Sequence, residues 1–129
     1  MNKYVLRFFR ILISVILLQT LRFKFTAHPD SVYIFSKVGL EPFGRIFIGI
    51  LELVAAILIL IPKTIWLGAL LTFGIISGAV LIHLTILGIQ INNDGGLLFF
   101  MALIVLILSG IIIWNERRNI PFFKKLFLY

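Results

Sequence analysis

The chain has 129 residues, of which 61% are hydrophobic and 13% are charged, and its net charge is +7. Soluble domains carry about 25% charged residues, so this composition excludes an ordinary soluble domain, and a disordered chain would lack the apolar residues found here. Basic residues lie between apolar blocks rather than along one face, so we expect no nucleic-acid partner. The absence of cysteine excludes disulfides and thiol redox centres. The composition predicts a protein that resides in a lipid bilayer.

Four segments are long and apolar enough to span a bilayer, which requires about 20 residues of helix. They lie at about residues 5–21, 44–61, 65–89 and 96–114. Pro62 and the two residues after it leave room only for a tight reversal, so the second and third helices must be antiparallel. The sequence therefore predicts an all-α, polytopic membrane protein in which residues 1–129 form one antiparallel four-transmembrane-helix bundle.

The connections after the first and the third predicted spans contain sequence motifs that predict local structure. The first begins a helix with a His-Pro-Asp motif at His28 and ends it at Gly39, which predicts a short interfacial helix over residues 31–38, between transmembrane helices 1 and 2. The side chains expected to face lipid or the bundle are Val32, Tyr33 and Phe35. The last connection is a polar turn in which Asn93 or Asp94 is expected to cap the fourth transmembrane helix.

The N-terminus is basic and then apolar, as in a signal peptide, but no cleavage site of small residues follows, so we expect an uncleaved span. Lysine and arginine favour the cytoplasmic side of membrane proteins. With the N-terminus in the cytoplasm, the eight inner basic residues are Lys3, Arg7, Arg10, Lys63, Arg117, Arg118, Lys124 and Lys125. The four outer ones are Arg22, Lys24, Lys37 and Arg45. This distribution predicts a multi-pass protein of the bacterial inner membrane with both termini cytoplasmic.

The tail after Trp114 mixes aromatic and basic residues, which is typical of a segment lying on an anionic membrane surface. We therefore interpret residues 115–129 as a basic interfacial tail. A solvated, disordered tail is the alternative interpretation.

Polar residues within the spans converge on one depth. Glu52 lies about 12 Å below the outer end of its helix, and His83 lies about 9 Å below the outer end of the next, so the two are nearly level. Arg45 lies on the same face as Glu52, two turns earlier. The candidate ligand-binding or proton-relay residues are Gln19, Lys24, Arg45, Glu52, His83 and Gln90, and the candidate rim residues are His28, Glu41, Asn93 and Asp94.

The sequence leaves two interpretations of this layer open, beside a third in which these residues do not converge. Arg45 or His83 would neutralise Glu52 in a structural lock, or the layer would form an outward-facing polar pocket that binds a polar head group or passes protons. No second ligand stands one turn from either histidine, so we expect no metal site. The small residues Gly74 and Gly78 predict close helix packing, either within the bundle or against a second copy of the chain.

The polar positions together resemble a known family. The matching runs are Gln19-Thr20-x-x-x-Lys24-Phe25, His28-Pro29, Phe35-x-x-x-Gly39-x-Glu41-Pro42-x-x-Arg45, Gly49-x-x-Glu52-Leu53, Gly68-Ala69, Gly78-Ala79 and His83. They are similar to the DoxX-like family of small four-helix membrane proteins. The resemblance covers most of the chain and thins after Trp114.

The resemblance implies a function as well as a fold. The family is named after small subunits associated with thiosulfate:quinone oxidoreductase, and other members are linked with membrane redox complexes. It therefore implies an accessory subunit of a quinone-linked assembly, without catalysis of its own, with a redox partner subunit and with quinone as its only expected cofactor. Its best motif positions correspond to Lys24, Arg45, Glu52 and His83. The alternatives are a binding or transport module for a lipid or small solute, and a homo-oligomeric scaffold without a ligand.

Overall fold

The computed structural model describes residues 2–122. Its five helices are α1 Lys3–Phe25, α2 Pro29–Lys37, α3 Phe43–Leu60, α4 Ile65–Ile82 and α5 Leu97–Asn115. A π-helical turn, His83–Leu87, continues α4, and no strand occurs within the described residues. Helices α1, α3 and α5, together with α4 and its flanking turns, are long and apolar enough to cross a membrane. The predicted all-helical, four-span architecture is confirmed.

The four long helices form a square in cross-section. Helix α1 packs against α3 and α5, and α4 packs against the same two helices. Consequently α1 and α4 lie on one diagonal of the bundle, and α3 and α5 on the other. The interior is filled by apolar side chains such as Ile13, Ile59 and Val105, while Phe47 and Ile107 on the outward faces are more than half exposed. Apolar side chains both in the interior and on the outward faces of the bundle are expected of helices that lie in the hydrocarbon core of a bilayer.

Helix α2 is the short helix expected between the first two transmembrane helices. It begins two residues before the predicted start because His28 caps it, with Nδ1 accepting the backbone N–H of Asp30 at 3.2 Å. The ring of Phe35 is buried, whereas Val32 is half-buried and Tyr33 is exposed. Of the three side chains expected to face lipid or the bundle, Phe35 is therefore the one that packs inward.

The end of the third span differs from the prediction. The helical path stops at Leu87 rather than at residue 89, because Gly88 adopts a φ of +80°, a left-handed value that glycine tolerates. The N–H of Gly88 donates to the carbonyl of His83 at 2.8 Å, closing a π-type turn. The chain then leaves the helix axis, so Gln90 is not on the helix face that carries His83.

The glycines that permit close helix packing are not the predicted ones. A Cβ atom on Gly74 or Gly78 would meet no neighbouring atom within 4 Å, so packing of these two glycines against another helix of the described bundle was a wrong expectation. Their packing against a second copy stays a prediction. A Cβ on Gly68 would overlap the backbone of Ile59, and Gly68 therefore sets the close approach of α3 and α4.

The loop between α4 and α5 is organised by Asp94. Its Oδ1 accepts the N–H groups of Ile91 at 3.0 Å and Gly96 at 2.8 Å, and its Oδ2 accepts that of Leu98 at 3.3 Å. Of the two residues expected to cap the fourth transmembrane helix, Asp94 is the one that does so. Burial raises the pKa of this carboxyl, but the three backbone donors outweigh it and lower the pKa below its ordinary value.

The C-terminal tail is described only in part. Helix α5 ends at Asn115, a turn at Arg117–Asn119 follows, and the guanidinium of Arg117 lies 4.4 Å from the centre of the Trp114 ring. Residues 123–129, which include Lys124 and Lys125 of the predicted interfacial tail, lie outside the described residues. That interpretation of the tail stays a prediction.

Candidate functional site

A cavity of about 220 Å³ lies inside the bundle, between the four long helices and beneath α2. It is larger than the engineered cavity of about 150 Å³ that admits a benzene ring. Most of its lining is aliphatic or aromatic. The polar residues that line it are Thr20, Lys24, Ser31, Glu52 and His83. A mainly apolar cavity with a few converging polar groups is typical of a small-molecule site.

Glu52 on α3 is 3% exposed and is neutralised from α1. Its Oε2 lies 3.1 Å from Nζ of Lys24. The same oxygen lies 3.3 Å from the hydroxyl of Thr20, whose single proton is shared with the carbonyl of Leu17 at 2.8 Å. Thr20 and Lys24 are one helical turn apart, so both side chains face α3. Oε1 of Glu52 accepts no hydrogen bond from any residue that the structure describes.

Arg45 was one of the two residues offered as neutralising Glu52 in a structural lock, and the structure pairs it elsewhere. Its Nε donates to both carboxylate oxygens of Glu41, at 2.9 and 3.0 Å, and its Nη1 donates to the carbonyl of Lys24. Glu41 lies only four residues before Arg45, whereas Glu52 lies seven residues after it, and the guanidinium pairs with the nearer carboxylate. Arg45 is buried but does not line the cavity. It joins the start of α3 to the end of α1.

His83 opens the π-helical turn and is 5% exposed. Its Nδ1 lies 2.9 Å from the carbonyl oxygen of Gly88. Because a carbonyl oxygen can only accept, Nδ1 carries a proton, and Nε2 of the neutral ring is a hydrogen-bond acceptor. The ring centre lies 5.5 Å from that of Phe99. Within the described residues His83 and Glu52 form no ion pair, although both line the cavity.

Ser31 is a cavity residue that the sequence did not single out. It is 1% exposed, and its hydroxyl has no hydrogen-bond partner within the described part of the chain. A buried hydroxyl without a partner costs free energy, so this atom is available to a ligand. The signal that would have found it is the spacing of Ser31, Ile34, Phe35 and Val38, which places all four on one face of α2.

Three of the six candidate binding residues, Arg45 among them, lie outside the cavity. Gln19 is exposed on α1, because the next residue, Thr20, takes the position that faces α3, and adjacent residues on a helix point about 100° apart. Gln90 is exposed beyond the turn at Gly88. Lys24, Glu52 and His83 do line the cavity, so the structure brings together half of the predicted set.

Three of the four predicted rim residues stabilise the connections between helices, and none of the four lines the cavity. His28 caps α2 and stacks on Phe23, with ring centres 4.4 Å apart. Glu41 binds Arg45, Asp94 caps α5, and Asn93 is exposed in the loop with a positive φ of 64°. Among residues 2–122, no group of three histidine, cysteine or acidic side chains is placed to hold a metal ion.

These features define a multi-pass, four-helix membrane protein with a partly polar cavity at one end of its bundle. The chain belongs to the DoxX-like family, whose family model matches residues 9–112. That match includes every residue that lines the cavity, from Ile16 to Val105. No match is found among curated proteins or among solved structures.

Proposed function

We propose that this protein is an accessory subunit of a quinone-linked redox assembly and that its cavity binds the ring of a quinone-class molecule. The observation that carries the proposal is the composition of the cavity wall. An apolar lining is combined with the Lys24–Glu52 pair on one side, the unpartnered hydroxyl of Ser31 above it and His83 on a different helix.

The size and polarity of the cavity support a ring with polar groups. A volume of about 220 Å³ exceeds the space that one benzene ring occupies in an engineered cavity, about 150 Å³, and leaves room for ring substituents. A molecule of the quinone class has an apolar ring that suits the aliphatic lining, and two polar oxygens, as carbonyls or as hydroxyls, that can reach the few hydrogen-bonding groups. A long apolar tail on such a ring would extend into the surrounding lipid.

The proposed role as an accessory subunit is supported by the amino-acid composition of the chain. Without cysteine it has no thiol couple with which to reduce a bound quinone. In this proposal the electron donor belongs to a partner subunit, and the present chain binds and orients the ring.

The proposed orientation places the cavity at the outer side of the cell membrane. The cavity lies at the α2 end of the bundle, where Lys24 and Ser31 are located. The opposite end carries most of the basic residues described, which are Lys3, Arg7, Arg10, Lys63, Arg117 and Arg118. Basic residues favour the cytoplasmic side, so the α2 end would face outward.

A module for an anionic lipid or solute is supported less well. Such a ligand would need a free cation, and both cations that the sequence offered for this purpose are already paired. Lys24 binds Glu52 and Arg45 binds Glu41. A neutral ring does not compete with these pairs.

The test is to identify what co-purifies with the chain from bacterial membranes. The protein is purified in mild detergent and extracted with organic solvent, and the quinone per chain is measured from its absorbance after chromatography. The variants are Glu52→Gln and, as a matched control, Glu41→Gln, which alters a paired carboxylate that does not line the cavity.

We expect near-stoichiometric quinone on the wild-type chain and on Glu41→Gln, and a large loss on Glu52→Gln. Phospholipid in place of quinone on the wild-type chain would overturn the proposal in favour of a lipid-binding module. A wild-type chain without any bound ring compound would favour a scaffold.

A further inference from the structure

Two hydrogen-bond acceptors among the residues that line the cavity have no donor within the described part of the chain. Oε1 of Glu52 accepts no hydrogen bond from the described residues, because Lys24 and Thr20 both use Oε2. Nε2 of His83 likewise has no hydrogen-bond partner among the described residues, because it is Nδ1 that binds the carbonyl of Gly88. A ligand that satisfies these two acceptors must therefore bring donors of its own.

The two open acceptors are on different helices of the square. Glu52 is on α3 and forms an ion pair with Lys24 of α1. His83 is at the end of α4, which lies diagonally across the bundle from α1. The hydroxyl of Ser31, on α2, can donate or accept and has no partner among the described residues. The cavity thus offers a mixed donor and acceptor site near Lys24 and a pure acceptor at His83.

Resting on the function proposed above, we propose that the cavity selects the reduced, dihydroxy form of the ring, a quinol, over the oxidised quinone. One quinol hydroxyl donates to Nε2 of His83. The other accepts from Lys24 or Ser31 and donates to Oε1 of Glu52. A quinone has two carbonyl oxygens and no donor, so it would leave both acceptors unsatisfied.

His83 is the specificity-determining residue in this proposal, and the π-helical turn is what orients it. The turn brings the carbonyl of Gly88 within 2.9 Å of Nδ1, which fixes the tautomer and leaves Nε2 as an acceptor. π-Helical turns within α-helices are frequent at functional sites. In a regular α-helix, the residue five positions later would not present its carbonyl to the ring.

The experiment compares three probes on the wild-type chain in lipid nanodiscs under anaerobic conditions. They are a benzoquinone with a short alkyl tail, its quinol, and the dimethyl ether of that quinol, which lacks both donors. Affinities are measured by titration calorimetry. The quinone and the quinol have nearly the same shape, so a difference between them reports hydrogen bonding. We expect the quinol to bind at least about tenfold more tightly than either other probe.

Equal affinities for quinone and quinol, or tighter binding of the quinone, would overturn this inference while leaving quinone-class binding intact. Failure of both to bind would instead overturn the proposed function. The two results are therefore distinguishable without any variant.

A pair of histidine variants assigns the preference to one residue. His83→Phe removes the acceptor and keeps an aromatic ring, so we expect the ratio of quinol to quinone affinity to fall to near one. His28→Asn is the matched control, because His28 is the other histidine of the chain and does not line the cavity, and asparagine keeps a side-chain acceptor for the cap of α2. Its ratio should equal that of the wild type. A folded His83→Phe chain that keeps the wild-type ratio would contradict the role of His83.

Discussion

The ion pair between Lys24 and Glu52 provides the sharpest test of the forces that hold the polar end of the bundle together. Its two side chains are 14% and 5% exposed, and the charged atoms are 3.1 Å apart. Lys24→Met keeps the length of the side chain and removes its charge. Glu52 would then keep only the contact with the Thr20 hydroxyl, which is shared with the carbonyl of Leu17, within a mainly apolar cavity.

Removing the lysine and removing the glutamate should lower the free energy of unfolding by different amounts. Removing one partner of a buried ion pair typically costs 3–5 kcal/mol, and Glu52 is buried enough for Lys24→Met to cost about 3 kcal/mol on this scale. Glu52→Gln leaves a charge on Lys24 instead, but this longer side chain is partly exposed and can extend toward water. We expect Glu52→Gln to cost only about 1 kcal/mol.

The double variant Lys24→Met/Glu52→Gln should be more stable than Lys24→Met alone, by about 2 kcal/mol, because it leaves no uncompensated charge. The free energy of unfolding is measured in mixed micelles by titration with a denaturing detergent, with helix content followed by circular dichroism. Lys37→Met is the control, because Lys37 is exposed and binds only Tyr33 on its own helix.

If Lys24→Met lowered the free energy of unfolding no more than Lys37→Met does, the pair would not stabilise the bundle and the reasoning would be refuted. A large loss in Lys24→Met that the second substitution failed to restore would show that packing of the lysine stem matters rather than charge. The expected restoration would show that charge compensation holds α1 to α3.

Three further predictions concern single residues. Asp94→Ala should lower the free energy of unfolding by about 1 kcal/mol, as loss of a helix cap does. The folded chain lowers the pKa of this carboxyl, so its stabilisation is complete above the ordinary pKa of 3.8 and is lost as the pH falls through the lower pKa of the folded state. The thermal stability of the variant should therefore depend less on acid pH than that of the wild type. Gly68→Ala should destabilise the bundle by about 1–3 kcal/mol through overpacking against Ile59, whereas Gly74→Ala should leave the monomer unchanged; equal effects in detergent unfolding would contradict the packing. Ser31→Ala should keep the stability, because it removes an unpartnered buried hydroxyl, yet weaken quinol binding in calorimetry, and unchanged affinity would exclude Ser31 from the site.

The sequence by itself determined the class of the protein and the depth of its polar layer. Four apolar segments of spanning length require transmembrane helices, because a bilayer leaves no other way to satisfy the backbone. The tight turn at Pro62 then makes α3 and α4 antiparallel, and helical rise alone brings Glu52 and His83 to one level. These conclusions need only local periodicity and length, and the family model matches the same residues.

Only the tertiary structure decided which polar groups meet. Helical spacing places Arg45 on the same face as Glu52, yet Glu41 takes the guanidinium, and Lys24 reaches across from α1. Spacing within one helix cannot predict this, because the choice among competing partners depends on how neighbouring helices are rotated. Spacing alone groups Ser31 with the apolar face of α2, but only the packing of α2 over the bundle places that face at the cavity. The π-helical turn at His83 depends on where the chain turns at Gly88, so the orientation of the ring appears only in the folded bundle.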